Sequence, residues 1–181
     1  MISLENTLNG TIFPQDEIIR ISKFAHSNGV KMHLDGARIW HVAAETGTPL
    51  DELLAPFDSV SLCFSKGLGQ YFVCQASTSA PKSHRDTVAG APIGSCLVGS
   101  KEYIQKARWF RKLFGGGMRQ TGFMAVAAAY ALTHNFPLLP AVHDLTRKLE
   151  AGLVEAGVEI TSGAETCMVG KASIFIERDL G

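Results

Sequence analysis

Short apolar runs alternate with longer amphipathic stretches along most of this chain. The runs that end at Glu5, Asp35 and Phe64 predict buried strands, and a further strand is predicted at Ser95–Gly99. Helical periodicity and helix-stopping residues predict helices over residues 14–28, 37–46, 49–54, 101–114 and 137–156. Asp16 is the predicted cap of the first helix. A turn is predicted at Asn9-Gly10, and short strands at 158–161 and 173–177. This alternation is typical of an α/β fold with a mostly parallel sheet and flanking helices.

Two of the predicted strands are followed by, or end in, charged side chains that can take part in catalysis. One strand is followed by Ser65-Lys66-Gly67-Leu68-Gly69, and the other ends at Asp35, with Arg38 shortly after it. Because the carboxyl ends of parallel strands meet at one rim of a sheet, we expect Asp35 and Lys66 to share that rim. A carboxylate that faces a pyridine nitrogen and a lysine that binds an aldehyde are what pyridoxal phosphate requires.

The lysine motif taken alone favours a plainer interpretation, a solvated lysine at the end of a strand. We expect instead a partly desolvated amine that is a usable nucleophile. His33 lies two residues before Asp35, on the same face of the strand. It either hydrogen-bonds the Asp35 carboxylate and holds it in place, or it is a half-buried histidine paired with backbone.

Composition excludes several classes of protein. The chain has 181 residues, 46% of them hydrophobic, and a formal net charge of zero, which offers no argument for nucleic acid or an anionic membrane surface. A basic stripe on the predicted helix 101–114 is interpreted as a solvated face. No apolar run is long enough for a membrane span. The cysteines (Cys63, Cys74, Cys96 and Cys167) show no metal-ligand spacing, so we predict no metal site and a cytoplasmic protein with reduced thiols.

Four motifs occur in an order that resembles low-specificity L-threonine aldolases. They are residues 3–10 (Ser-Leu-Glu-Asn-Thr-Leu-Asn-Gly), 33–38 (His-Leu-Asp-Gly-Ala-Arg), 65–69 (Ser-Lys-Gly-Leu-Gly) and 115–120 (Gly-Gly-Gly-Met-Arg-Gln). The similarity runs from Ser3 to about Leu149. These aldolases are fold-type I pyridoxal phosphate enzymes, grouped with the aromatic amino acid β-eliminating lyases.

The resemblance implies a role for each candidate residue. Lys66 would be the catalytic lysine that holds pyridoxal phosphate, Asp35 would keep the ring nitrogen protonated, and Arg38 would serve the substrate carboxylate or the ring oxygen. Asn6 and Ser65 would also contact the cofactor, with His33 supporting Asp35. Lys112 and Arg119 would lie near an active site, Arg119 toward the cofactor of a neighbouring subunit and Lys112 toward the substrate. The family implies a homodimer or homotetramer.

Residues 70–90 interrupt the resemblance, because the aldolase motifs on either side, Gly69 and Ala91, would otherwise adjoin. This stretch of 21 residues is rich in Ser, Thr and Ala and is interpreted as a disordered polar insertion. A tolerated surface insertion is one explanation. We favour an intron translated in frame.

The resemblance also predicts the domain organisation. Residues 1–136 would form the C-terminal half of the large cofactor-binding domain, and residues 137–181 the start of a small α+β domain. The family's phosphate-binding loop and ring-stacking histidine would precede Met1, so we interpret the chain as a fragment.

The activity implied is cleavage of L-threonine or L-allo-threonine to glycine and acetaldehyde, impaired in this fragment. Two alternatives remain open. One is β-elimination on the same fold, which fold similarity does not separate from aldol cleavage. The other is a truncated product without activity.

Overall fold

The computed structural model describes residues 1–68, 91 and 93–171. The elements in chain order are the strands β1 (Ile2–Glu5), β2 (Thr7–Leu8) and β3 (Thr11–Ile12), helix α1 (Gln15–Ser27), strand β4 (Met32–Gly36), helices α2 (Ile39–Thr46) and α3 (Leu50–Leu54), strands β5 (Ser59–Cys63) and β6 (Ser95–Gly99), helices α4 (Lys101–Leu113), α5 (Gly122–His134) and α6 (Leu139–Glu155), and strands β7 (Ile160–Ser162) and β8 (Gly170–Lys171). The predicted 173–177 strand and the 70–90 insertion lie outside the described residues.

The main sheet has the strand order β1-β4-β5-β6. β1, β4 and β5 run parallel, with Glu5 opposite Asp35 and Asp35 opposite Ser61. β6 closes the described sheet antiparallel to β5, and Cys63 pairs with Ser95. The predicted mostly parallel sheet with flanking helices is therefore confirmed. Its parallel strands all end at the same edge.

The predicted helices are present, with ends that differ by one or two residues. Asp16 was expected to cap α1, but the cap position is Pro14, and no side chain caps the helix there. Proline fits this position because its fixed φ suits the entry to a helix and its missing N–H is not needed. Asp16 lies in the first turn, where its charge still favours the helix dipole. The predicted helix over 137–156 is preceded by a 3₁₀ turn (Phe136–Leu138), and α6 follows it.

The predicted turn at Asn9-Gly10 joins β2 and β3 as a tight hairpin. Both residues have positive φ, 54° for Asn9 and 95° for Gly10. Asn-Gly is the dipeptide that accepts this geometry most readily. The loop after β7 fixes the hairpin, since the Thr166 hydroxyl donates a buried hydrogen bond of 2.7 Å to the Gly10 carbonyl.

The core forms around α2, which lies between the sheet and α6. The Trp40 indole stacks on Phe64 with the ring centroids 5.7 Å apart, and it meets the edge of Phe136 at 6.4 Å. The buried members of this core are Leu34, Ile39, Trp40, Val42, Ala43, Leu53, Val60, Leu62, Leu68, Ala91, Ala131 and Leu139. Leu68 and Ala91 are fully buried, so the stretches on both sides of residues 69–90 enter the same core.

α4 and α5 expose apolar side chains that a folded domain normally buries. Trp109 is 60% exposed, Phe114 80% and Phe123 65%, and no residue of α4 is buried. Large exposed apolar surfaces of this kind mark sites of protein contact. Within the described residues, no helix combines the length and the apolar character that crossing a membrane requires.

Candidate active site

The ends of three parallel strands bring the candidate residues to one edge of the sheet. Asn6 follows β1, Asp35 lies near the end of β4, and Lys66 follows β5 by three residues. The register places Glu5 beside Asp35 and Gly36 beside Leu62, so the strands reach this edge together. In an open α/β sheet, the edge formed by the carboxyl ends of the strands is where ligands bind.

Asp35 presents its carboxylate to solvent at this edge. The side chain is exposed, and its Oδ1 accepts a hydrogen bond of 3.1 Å from the backbone N–H of Ala37. This local contact holds the carboxylate over the turn that enters α2. Its second oxygen, Oδ2, has no protein partner among the described residues and can accept a bond from a ligand.

The predicted hydrogen bond between His33 and Asp35 is wrong. His33 is half-buried, and its Nδ1 lies 2.8 Å from the hydroxyl oxygen of Ser59 on the neighbouring strand β5. Both side chains are on the same face, as predicted, but Ser59 lies directly across from His33 in the register, and its hydroxyl is the hydrogen-bond partner of the ring. The alternative was right about the half-burial of His33, but the partner of the ring is the Ser59 side chain and not the backbone.

Lys66 lies in a turn whose two ends are fixed. Before it, the Trp40 indole N–H donates a 2.8 Å hydrogen bond to the carbonyl of Cys63. After it, the Asn135 side-chain amide donates a buried bond of 2.7 Å to the carbonyl of Leu68. Ser65 is half-buried and Lys66 is exposed, so the expected desolvation of the amine is not seen among the described residues.

Asn6 is buried beneath this edge, with only 2% of its surface exposed. Its backbone carbonyl accepts from the N–H of Phe13, but its side-chain Oδ1 has no hydrogen-bond partner in the described part of the chain. An unpaired buried amide oxygen costs about 1–3 kcal/mol, which a donor from a ligand or another segment would offset. The position therefore suits the predicted cofactor contact.

Arg38 directly precedes α2 and is half-buried. Burial is the main cause that lowers the pKa of His41 to about 4, and the nearby His143 and the Arg38 guanidinium lower it further. Burial raises the pKa of the Cys167 thiol, and the same guanidinium opposes that rise. Arg38 is therefore a positive charge at the start of α2, close to both groups.

Lys112 and Arg119 are both exposed, Lys112 in the last turn of α4 and Arg119 in the segment before α5. Within the described ranges, neither forms a hydrogen bond or an ion pair with Asp35, Arg38 or Lys66. Their predicted roles toward a neighbouring subunit stay predictions.

Sequence reasoning missed three polar residues behind the Lys66 turn. Asn135, His41 and His143 are all buried, and they come from the end of α5, from α2 and from α6. A histidine within the apolar run of α2 was the one available signal. The contacts themselves join residues 67 and 102 positions apart, which no local pattern reveals.

Comparisons with known proteins agree with this arrangement. The chain is 40% identical over 169 residues to the low-specificity L-threonine aldolase of Candida albicans, covering 93% of this chain and 40% of that protein. It is 39% identical over 170 residues to the enzyme of the same name from Saccharomyces cerevisiae, covering 93% of this chain and 38% of the relative. The chain thus spans about two fifths of the length of these relatives.

A solved structure shows the same fold. The Leishmania major threonine aldolase aligns with a TM-score of 0.66 at 19% identity, over 91% of this chain and 43% of that one. The described architecture is thus part of the fold-type I architecture of pyridoxal phosphate enzymes.

The family match covers most of the chain. Residues 1–71 and 86–172 match the beta-eliminating lyase family, and the unmatched residues 72–85 fall within the predicted insertion. The matched ranges contain the four motifs and all the residues gathered at the sheet edge. This chain belongs to the beta-eliminating lyase family.

Proposed function

We propose that this chain forms part of a pyridoxal phosphate-dependent lyase that cleaves L-threonine or L-allo-threonine to glycine and acetaldehyde. The observation that carries the proposal is the placement of Asp35 and Lys66 on the same sheet edge, at the ends of adjacent parallel strands. The names of the relatives support the aldol reaction, and the family supports the cofactor.

The residues present fit the cofactor. Asp35 offers an exposed carboxylate oriented by the Ala37 N–H, Lys66 offers an exposed primary amine, and Asn6 offers an unpaired amide oxygen. When bound, pyridoxal phosphate supplies an electron sink for the pair released when a bond to the substrate Cα breaks. Asp35 would hold a proton on the ring nitrogen, and Lys66 would bind the aldehyde carbon.

Substrate binding is assigned to the positive side chains. Arg38 is the nearest in the chain to Asp35, and its planar guanidinium suits a carboxylate. We propose it as the group that orients the substrate carboxylate. Lys112 is a second candidate, Ser65 is a further cofactor contact, and Arg119 would reach the cofactor of a neighbouring subunit, where a basic residue near the start of a helix favours an anion.

A homodimer or homotetramer is the proposed assembly. The exposed apolar side chains of α4 and α5, including Trp109 and Phe123, support a protein contact on that face. Sedimentation analysis of the purified chain tests this assembly. A monomer at every concentration would contradict it.

We also propose the domain division given above, with one domain over residues 1–136, a second over 137–181, and residues 70–90 as an insertion. We propose a cytoplasmic location for the protein. Cys63, Cys96 and Cys167 are free thiols in the structure, which is the usual state in a reducing compartment.

Reductive trapping tests the cofactor site. The chain is incubated with pyridoxal phosphate, reduced with borohydride, digested and analysed by mass spectrometry. The label should lie on Lys66, with Lys66→Arg as the control that keeps the charge and cannot be labelled at this position. Label spread over exposed lysines such as Lys101 and Lys106 would contradict the assignment.

Product analysis separates the alternatives. Aldol cleavage of threonine releases acetaldehyde and glycine, whereas β-elimination from an amino acid releases ammonia and a 2-oxo acid. Specific labelling of Lys66 with neither set of products would favour a chain that binds the cofactor and has no activity of its own.

A further inference from the structure

A chain of hydrogen-bonded side chains leads from the surface to the Lys66 turn. Glu45 Oε2 lies 2.5 Å from His143 Nδ1, and His143 Nε2 lies 2.9 Å from His41 Nδ1. At the surface, Arg147 donates to the other Glu45 oxygen at 2.9 Å. His143 is completely buried and His41 is 4% exposed, so their hydrogen bonds are shielded from water.

The Glu45 carboxylate fixes the first hydrogen bond of this chain of contacts. A carboxylate only accepts hydrogen bonds, so the Glu45 contact places a proton on His143 Nδ1. The second bond joins His143 Nε2 and His41 Nδ1, one of which donates to the other. Burial is the main cause that lowers the pKa of His41, and His143 and Arg38 lower it further, which keeps this ring neutral.

The Nε2 edge of the His41 ring supports the turn that carries Lys66. A Cβ built on Gly67 would lie 2.9 Å from His41 Nε2 and 3.1 Å from His41 Cδ2. Real Cβ atoms almost never come that close, so the ring already fills the space behind this glycine. Gly67 is buried and follows Lys66 directly, and any shift of the ring moves the peptide next to the lysine.

We propose that Glu45, His143 and His41 are positioning residues for Lys66. The carboxylate fixes the orientation of the two rings, and the His41 ring fills the space behind Gly67 and so fixes the position of this residue against α2. His143 belongs to α6, which the resemblance assigns to the small domain. Helix α6 therefore helps to hold Lys66 at the sheet edge. The inference rests on the proposed role of Lys66 as the residue that binds the cofactor aldehyde.

His143→Gln is the main test, because glutamine can keep a hydrogen bond to His41 but lacks the second ring nitrogen that donates to Glu45. The rate at which pyridoxal phosphate becomes fixed to Lys66 by borohydride should fall about tenfold, as expected for a small displacement of a reacting group. The parent chain, labelled in parallel under the same conditions, is the reference. The matched control is His134→Gln, an exposed histidine of α5 outside this chain of contacts.

Steric rescue gives an independent test. Gly67→Ala should slow labelling of Lys66 because its new methyl group meets the His41 ring. The double variant Gly67→Ala with His41→Asn should recover most of the rate, since asparagine keeps a donor near Nδ1 and lacks the ring atoms that clash. Failure of the double variant to recover, with both chains folded by circular dichroism, would overturn the steric part of the proposal.

Two readouts do not depend on cofactor binding. Nitrogen NMR of the histidine rings should show a protonated Nδ1 for His143 and a neutral ring for His41 at neutral pH in the parent chain. Amide hydrogen exchange at Gly67 should accelerate in His143→Gln, or in Glu45→Gln if the first variant does not fold. Unchanged exchange at Gly67 would overturn the positioning role. Absence of specific Lys66 label in the parent chain would instead count against the proposed function alone.

Discussion

Asn135 and Leu68 are joined by a fully buried hydrogen bond although they are 67 residues apart, with the Asn135 amide nitrogen 2.7 Å from the Leu68 carbonyl oxygen. Both residues have no exposed surface. The bond ties the residue after α5 to the end of the Lys66 turn. A side chain that closes the Lys66 turn in this way acts on both stability and the placement of the lysine.

Asn135→Ala should therefore lower the free energy of unfolding by about 1–3 kcal/mol, because it leaves the Leu68 carbonyl buried without a donor. Asn135→Asp should cost more, since a buried carboxylate would face a carbonyl oxygen. Urea unfolding measures both. The comparison variant is Thr133→Ala, which removes an exposed side-chain bond to the backbone of the same helix and should have a much smaller effect. Equal stability of Asn135→Ala and the parent would contradict the structural role.

Protonation of His41 should destabilise the fold at mildly acidic pH. The folded-state pKa of His41 is lowered to about 4, below its ordinary value near 6.5. Between these values the unfolded chain binds more protons, so the free energy of unfolding falls as pH is lowered from about 6.5 toward 4, by up to ~1.4 kcal/mol per pH unit.

Urea unfolding at a series of pH values measures this slope. His41→Asn cannot titrate and should show a flatter profile across that range. His143, Arg38 and Glu45 all remain in the variant, so the difference between the profiles isolates His41. Parallel profiles for the variant and the parent chain would show that the ring is not kept neutral by its surroundings.

Asp58 organises the opposite end of the sheet. Its carboxylate accepts 2.8 Å hydrogen bonds from the Met32 backbone N–H and the Lys31 ammonium, and lies 2.8 Å from His26 Nε2. Burial raises the pKa of Asp58, but hydrogen bonds from Lys31, Met32 and His26 outweigh it and hold the pKa well below its usual range. This stability is present above about pH 4 and is lost as pH falls further.

Asp58→Ala should lower the free energy of unfolding at neutral pH by about 2 kcal/mol, mainly through the Met32 N–H, because the Lys31 ammonium is exposed and its ion pair contributes less. Asp58→Asn keeps an acceptor for Met32 and should cost about half as much. Glu17→Gln is the control, since it removes a carboxylate from an exposed ion pair with Arg20 and should change little. Asparagine and alanine variants of equal stability would argue against the Met32 contact.

The sequence predicted what depends on neighbours in the chain. The Asn9-Gly10 turn, the strand ends at Asp35 and before Lys66, and the helix periods all follow from local residue preferences, and the structure confirms each of them. The parallel order of β1, β4 and β5 follows from the helices between them.

The predictions that failed concern contacts made by particular side chains. One interpretation paired His33 with Asp35 because both share a face of the strand. The observed partner is Ser59 on the neighbouring strand, and the local sequence pattern does not determine which residues of two strands lie opposite each other. Asn135 and the His41–His143 pair were missed for the same reason, since each joins helices and turns far apart in the chain. Asp16 was expected at the cap position of α1 because acidic residues cap helices, but the preceding proline begins that helix.

Asp35→Asn provides a direct test of the proposed cofactor chemistry. Asparagine keeps an Oδ1 that can accept from the Ala37 N–H, so the turn into α2 should retain its geometry. The variant removes only the negative charge, and the ring nitrogen of a bound pyridoxal phosphate would then lose the partner that keeps it protonated. Threonine cleavage should therefore fall by orders of magnitude, while fixation of the cofactor to Lys66 by borohydride should change little.

His33→Asn is the matched control, because His33 bonds Ser59 and not Asp35, and it should leave the turnover rate close to that of the parent chain. If the chain has no turnover of its own, both substitutions are compared at the corresponding positions of the Candida albicans relative. Equal turnover of the Asp35→Asn variant and its parent would show that the carboxylate does not face the ring.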